Sequence, residues 1–343
     1  MLRFITAGES HGKSLVAILD GMVANLPISE DEINIELQRR QQGYGRGDRM
    51  KIEADKAEII SGIRNGKTIG SPVSILIPNR SRDFFDTAFT TPRPGHADFA
   101  GANKYNQKDL RNILERASAR ETAARSAIGA ICKKFLSIFN INVESSIIHI
   151  GGQKNFKSAI DKAKQAGDTV GGVFEIKVLN CPPGLGSYSQ WDKRLSARLA
   201  QVIMSIPAIK GIEIGLGFDQ AKLYGSEVHD EIIIKNGKIS HKTNNAGGLE
   251  GGMTNGEPIV LRAAMKPIST LMKPLKSVDL KTKKPAFAHI ERSDVCAVEA
   301  AAVVGEAMAA FEISNAMIEK FGGDSLEEIK ANFTYYQKHI SMV

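Results

Sequence analysis

Cysteine is scarce in this chain: Cys132, Cys181 and Cys296 are odd in number, widely spaced and without a Cys-x-x-Cys pair. Neither a disulfide framework nor a structural zinc site is expected, no catalytic metal ligand set stands out, and reduced thiols suit the cytoplasm. Aromatic residues are also few, 6% of the chain with one Trp and six Tyr. Proteins that stack nucleic-acid bases interleave aromatics with basic residues, whereas the basic loop at 43–49 contains only Tyr44, so no nucleic-acid partner is expected. Long hydrophobic runs are missing as well. The longest small-apolar stretch, Val295 to Ile313, is interrupted by Glu299, Glu306 and Glu312 and reads as a helix of a soluble protein, with no membrane partner. The N-terminal MLRFITAGESHGK meets acidic and imidazole side chains before it could build the apolar core of a signal peptide.

What is abundant is glycine, 32 of 343 residues, and positive charge, a net +7. With 42% hydrophobic and 24% charged residues, the composition describes a loop-rich globular enzyme whose positive field draws an acidic partner. The absence of long linkers and internal repeats predicts a single domain over residues 1–343.

Residues 2–6 and 14–20 are short apolar runs around GESHG and predict strand, loaded turn, strand. Ser29 with Glu32 forms a capping box that starts a helix, Ile28 serves as its staple, Ile33 and Leu37 share one face, and Gly43 ends it. Strands follow at 57–62 and 72–77, then an irregular stretch from Asn79 to Ala100, long enough to suggest function. From Gln107 to Phe139 the spacing of Ile113, Ala117, Ala124, Ile128 and Ile131 predicts a helix whose small residues allow close packing. Further strands are expected near 145–151, 172–179, 211–216 and 258–264, helices near 192–204 and 295–320, and a Gly-rich loop at 245–256. Strands and helices do not alternate regularly, so the fold class is α+β rather than doubly wound.

Ala7 to Ser14, AGESHGKS, fits a permissive phosphate-loop pattern. A phosphate loop needs a helix after it, and Leu15 to Leu19 reads as a strand closed by Asp20-Gly21. Ser10 and His11 lie between glycines, where an imidazole could meet a ligand phosphate, although a turn histidine bonded to local backbone has the same signature. His96 lies in the rigid charged turn Arg93-Pro94-Gly95-His96-Ala97-Asp98. His149, His229, His241, His289 and His339 have ordinary settings. Arginines cluster at Arg39, Arg40, Arg46 and Arg49, and again at Arg116, Arg120 and Arg125. Charge runs are usually solvated faces, but Arg116 and Arg120 stand four apart in a helix made for burial, and buried guanidiniums need anionic partners. A small phosphate- and carboxylate-bearing substrate would supply them.

Together, Gly8-Glu9-Ser10-His11-Gly12, Arg93 to Asp98, Glu115 to Thr122, Asn245 to Gly248 with Gly251-Gly252, Met265 to Ser269, and Arg292 to Cys296 resemble the chorismate synthase family, in that family's order and over nearly the whole chain. The resemblance implies a single α+β domain with central helices sandwiched between antiparallel sheets, assembled as a homotetramer. It implies a lyase of the shikimate pathway to aromatic amino acids: an anti 1,4-elimination of phosphate from 5-enolpyruvylshikimate 3-phosphate, dependent on reduced FMN without net redox change. NADPH is a possible reductant of the flavin. It implies flavin contacts at Arg116, Ala117, Ser118, Pro207, Ala208, Gly252, Lys266, Pro267, Ile268, Ser269, Thr270 and Arg292. Arg40 and Arg46 resemble nicotinamide-dinucleotide positions but serve equally well as substrate grips, with Arg49 and Arg120 as further substrate candidates. The catalytic set it implies is Ser10, His11, His96, Ser118 and Asp294. His11 would protonate the departing phosphate, His96 would protonate or stabilise the reduced flavin, and Asp294 would work with the flavin to take up the ring proton. Asp294 also fits an N-cap for a helix beginning at Val295. Ala117 stands where many relatives have Ser, which removes one hydroxyl contact.

Overall fold

In the computed structural model, residues 1–47, 53–80, 86, 88–235, 237–291 and 293–340 are described. Two four-stranded antiparallel sheets enclose a layer of helices. The N-terminal sheet runs Arg3–Ala7, Ser14–Asp20, Val73–Pro78, Glu58–Ser61 in spatial order, and the second runs Asn142–Ile150, Gly172–Leu179, Ile259–Met265, Ile209–Ile214. Alternation with a period of two turns one face of each sheet inward. Leu15, Ala17 and Leu19 pair with Ile77, Ile75 and Val73, and Phe174, Ile176 and Val178 pair with Ala263, Leu261 and Ile259. All twelve are buried. Each large apolar side chain removed from water contributes about 1.5–3 kcal/mol, so a one-residue slip that turned these faces outward is strongly disfavoured.

Between the sheets, the helix Thr122–Ser137 packs on the N-terminal sheet and Val298–Phe321 on the second, and the two helices pack on each other. Small residues set their separation. A Cβ added to Gly129 would lie 2.2 Å from the Ala307 Cβ and 2.5 Å from its Cα, so only glycine permits this approach. Val298–Phe321 is long and apolar enough to cross a membrane, yet its apolar window is wholly buried inside the protein. Its carboxylates are matched within the layer: Glu306 accepts from Arg39 at 2.7 Å, from Ser145 at 2.6 Å and from Lys133, and Glu312 meets Arg198 at 2.6 Å.

The first helix, Glu30–Gln41, is capped as expected: the Ser29 backbone N–H donates to Glu32 Oε2 at 3.0 Å, and the Glu32 N–H donates to Ser29 Oγ. Ile33, Leu37 and Arg40 share its buried face, so the apolar period carries an arginine into the interior. The turn at GESHG leads into the strand Ser14–Asp20, which removes the phosphate-loop reading.

Two expectations are corrected. The helix predicted over 107–139 is broken into Arg111–Ala117, a single 3₁₀ turn Ala119–Glu121, and Thr122–Ser137. Ser118 causes the break: it is extended, at φ −63° and ψ 140°, and its hydroxyl accepts from the Arg120 N–H. The last long helix begins at Val298 rather than Val295, so Asp294 is not its N-cap. Helices at Asp98–Tyr105, Phe156–Gln165 and Leu326–Ile340 were not read from the sequence, nor was the hairpin Leu249–Glu250/Met253–Thr254 inside the Gly-rich loop.

Gly129→Ala should destabilise the protein by about 1–3 kcal/mol despite alanine's higher helix propensity, because overpacking at the helix contact outweighs that gain. A rise in the denaturation midpoint would contradict the packing account.

Candidate active site

A cavity of about 540 Å³ opens where both helical breaks and the loops of both sheets converge. One wall is apolar and made of small side chains: Ala297, Ala300, Ala301 and Val304 from the long helix, with Ile206, Pro207 and Ala208 across from them. Ala208 adopts φ +68°, unusual for a side chain, and its carbonyl accepts from the Lys266 N–H at 2.9 Å. Strain of this kind is commonly retained at ligand sites. The opposite wall is ionic. Among the described residues, five cations line the cavity, Arg40, Arg46, Arg93, Arg120 and Lys266, against two carboxylates, Glu291 and Asp294.

The cations are held from behind. Asp55, absent from the lining, receives Arg40 Nη2 at 2.9 Å and Arg120 Nη1 at 2.6 Å on its two oxygens. Arg120 Nε donates to Asn79 Oδ1 at 2.9 Å, and Arg40 Nη1 donates to Thr122 Oγ1 at 3.3 Å. Burial, offset in part by Asp55, pushes the Arg40 guanidinium down to about 10, so it remains charged at neutral pH. Among the described residues, the buried Nε atoms of Arg40 and Arg46 have no hydrogen-bond partner.

Asp98 plays the same part in the irregular segment. It accepts from Arg93 Nε at 2.8 Å and faces His96 Nδ1 at 2.5 Å, while Arg93 Nη1 reaches Thr270 Oγ1 at 2.9 Å. Burial raises the Asp98 carboxyl, but the bonds from His96 and Arg93 outweigh it and hold the group well below the usual carboxylate range. Lys266 donates to the Gly95 carbonyl at 2.7 Å and to Ser269 Oγ at 3.0 Å; burial, then Lys210, lowers its ammonium from the ordinary value.

The turn bearing Ser10 and His11 is fixed by backbone and by arginine. Gly8 sits at φ +100°, where a Cβ would fall 2.2 Å from the Ser14 carbonyl oxygen. The Ser10 N–H donates to the Glu115 carbonyl at 2.9 Å. Arg116 donates from Nη2 to the Thr6 carbonyl at 2.8 Å and from Nη1 to the Gly8 carbonyl at 3.1 Å.

Ser10, His11, His96, Ser118 and Asp294 therefore meet at one cavity, with Arg40, Arg46, Arg120, Ala117, Pro207, Ala208, Lys266, Ile268, Ser269 and Thr270. Among the described residues, three predicted ones do not line it. Arg116 is exposed and pins the turn instead, because the break at Ser118 takes it off the face that buries Arg120. Gly252 turns the Leu249–Thr254 hairpin, where its carbonyl accepts from the Leu195 N–H at 2.8 Å. Pro267 stands between two lining residues without joining them. Arg49 and Arg292 lie outside the described residues. Arg120's internal partner, Asp55, was not anticipated and had no motif to betray it. Asp98 and Glu115 lie inside the Arg93–Asp98 and Glu115–Thr122 motifs, where nothing local to the sequence marks them as partners of His96 and His11.

Asp294 uses Oδ1 to accept the Gly47 N–H at 2.6 Å, and Oδ2 lies 3.4 Å from Arg46 Nη1. Its carboxyl thus faces the cavity from the loop ahead of the long helix.

The family model described as chorismate synthase matches residues 2–318. A chorismate synthase of Aquifex aeolicus is 53% identical over 99% of this chain and 98% of its own length, and one of Caldanaerobacter subterraneus subsp. tengcongensis is 55% identical over 99% of each. A crystal structure of chorismate synthase superposes with a TM-score of 0.82 at 46% identity, covering 100% of this chain and 99% of the other.

The depressed Asp98 carboxyl stabilises the fold above its unfolded pKa of about 3.9, and that contribution is lost as pH falls through the lower folded value. Asp98→Asn should cost about 3–5 kcal/mol at neutral pH, because it strips a buried charge pair. In urea denaturation the gap from the parent protein should close on strong acidification; a gap independent of pH would contradict the assignment.

Proposed function

The chain belongs to the chorismate synthase family, and we propose that the cavity described above is its active site, with His11, His96 and Asp294 handling protons. The enzyme is a carbon–oxygen lyase that removes phosphate from 5-enolpyruvylshikimate 3-phosphate to give chorismate, requires reduced FMN and makes no net redox change. This step leads toward the aromatic amino acids.

The residues present suit that cofactor. The apolar wall would accept a flat ring, and Lys266 and Ser269, together with the backbone around the strained Ala208, would offer it polar contacts. Ala117, Ser118, Pro207, Ala208 and the Lys266 to Thr270 loop would hold it. Reduced FMN, when bound, supplies an electron-rich ring that stabilises the charge deficiency left by the departing phosphate.

The ionic wall is read as the substrate grip. Arg40 is only 3% exposed and shares Asp55 with Arg120, so the two guanidiniums form one rigid anion-binding unit. Arg46 extends it. This favours substrate over a nicotinamide dinucleotide for Arg40 and Arg46, with any NADPH acting as reductant elsewhere in the cycle. As the phosphate departs with the bonding electrons, a protonated His11 donates to a phosphate oxygen, and the fixed guanidiniums neutralise charge where it develops. Asp294 accepts the ring proton, with its second oxygen occupied by the Gly47 N–H. His96, oriented by Asp98, holds a proton toward the cofactor. The observation that carries this reading is the convergence of Ser10-His11, Arg40, Arg93-His96, Ser118-Arg120 and Asp294, five separate stretches of sequence, on one cavity.

A single domain is supported by the buried cluster that runs continuously through both sheets and the helices between them. Three buried free thiols suit a cytoplasmic enzyme. The homotetramer rests on family resemblance, and exposed Ile5 and Ile18, paired across the outer face of the N-terminal sheet, supply apolar surface that assembly would cover.

Oxygen-free phosphate release from 5-enolpyruvylshikimate 3-phosphate should occur with chemically reduced FMN and not with oxidised FMN or none; release in all three would overturn the flavin-dependent elimination. His11→Ala should slow it by about 10²–10⁴-fold, the span typical of a lost general acid, with FMN affinity retained. Loss of FMN binding as the main effect would remove His11 from the proton-transfer role.

A further inference from the structure

The GESHG turn and the helix Arg111–Ala117 are joined by an interaction that the elimination chemistry described above does not use. Glu115 is 4% exposed and lies outside the cavity lining, directly behind His11. One carboxylate oxygen accepts the His11 backbone N–H at 2.6 Å, and the other faces His11 Nδ1 at 2.9 Å. A carboxylate gripping both main chain and ring of one residue leaves the imidazole a single orientation, because rotation about either side-chain torsion breaks the second contact.

We infer that Glu115 is a positioning residue for His11, fixing the tautomer in which Nδ1 keeps its proton and Nε2 exchanges the proton delivered to the leaving phosphate. The inference rests on the assignment of His11 as proton donor. Two nitrogens compete for that role, and a carboxylate accepts but never donates when ionised, so the nitrogen beside Glu115 must carry hydrogen. In the transfer, the Nε2–H bond breaks, its electron pair stays on the ring, the proton joins a phosphate oxygen, and the neutral imidazole retains Nδ1–H on Glu115. The same carboxylate also compensates the imidazolium before transfer.

The surroundings keep Glu115 ionised and directed at His11. Burial raises its carboxyl, but the side-chain and backbone bonds from His11, and Arg111 after them, bring it below the ordinary value. Among the described residues, Arg111 is a second charge beside Glu115, and its Nη1 lies 3.5 Å from the Glu115 oxygen but 2.6 Å from Glu291. Glu291 thus takes the closer ion pair, which leaves the Glu115 charge directed mainly at the histidine. The arrangement is a carboxylate–imidazole pair like those that set tautomers in hydrolytic triads, built here between a strand turn and a helix.

The test pairs spectroscopy with kinetics on the FMN-loaded enzyme. Long-range proton–nitrogen spectra of histidine-¹⁵N protein, with the His11 signals identified by their loss in His11→Ala, should show the Nδ1–H tautomer for neutral His11; a dominant Nε2–H tautomer overturns the inference without any Glu115 variant. Glu115→Gln keeps the shape but offers one acceptor oxygen for two donors, so the Nε2–H form should gain population. kcat for phosphate release should fall by about 10- to 100-fold, the scale seen when an orienting partner is lost, with KM and FMN affinity unchanged. Parental kcat in Glu115→Gln overturns the inference while leaving His11 as the donor, provided His11→Ala is inactive. Parental activity in His11→Ala instead removes the underlying assignment, and the positioning role with it.

Discussion

Charge in this protein is arranged in two layers: imidazoles and guanidiniums face a cavity, and buried carboxylates stand behind them. Asp55 holds Arg40 and Arg120, Asp98 holds Arg93 and His96, and Glu115 holds His11. The side chains of Asp55 and Asp98 are fully buried and that of Glu115 is 3% exposed. Isolated buried charges of either sign would be prohibitively costly, so each layer exists because of the other. The consequence is orientation as much as neutrality, since a guanidinium bound on one edge presents its remaining donors in one direction. On the proposed function, an anionic substrate would meet donors already in place, with little reorganisation left for the reaction step.

The sandwich exists to bring these pairs together. Asp55 follows the first helix, Arg40 ends it, and Arg120 lies beyond the break at Ser118, so a single carboxylate ties three chain segments at one corner. Asp98 and Arg93 rigidify a segment with almost no regular structure, and Thr270 and Lys266 tie that segment to the loop beyond the second sheet. The apolar wall has the opposite origin. It is the cavity-lining part of the small-residue helix that Gly129 and Ala307 let pack closely deeper in the layer. Core packing and cavity wall are therefore two parts of the same helix, and a change in helix separation would be felt at both.

Much of this was legible in the sequence because it was local. The Ser29–Glu32 box, the strand after GESHG and the alternating strands follow from short-range rules, and the quoted motifs identified most of the lining. What was not legible depended on long-range partners. Arg116 and Arg120 look equivalent at four-residue spacing, yet one extended residue, Ser118, sends the first to the Thr6 carbonyl and the second into the core. Asp294 has the signature of an N-cap, but the helix begins four residues later and its carboxylate serves Gly47 instead. Asp55 carries no local signature at all, because its meaning lies entirely in two arginines 15 and 65 residues away.

The claim that buried carboxylates make the cationic wall functional is tested most directly at Asp55, which lies behind the arginines and outside the cavity lining. The measurement is kcat/KM for oxygen-free phosphate release with reduced FMN, in the parent enzyme and in a folded Asp55→Asn variant that still binds FMN. Loss of one partner from a buried charge pair predicts a fall of about two orders of magnitude. An unchanged kcat/KM in the folded variant would mean that Arg40 and Arg120 need no orienting carboxylate, and the two-layer account would be wrong.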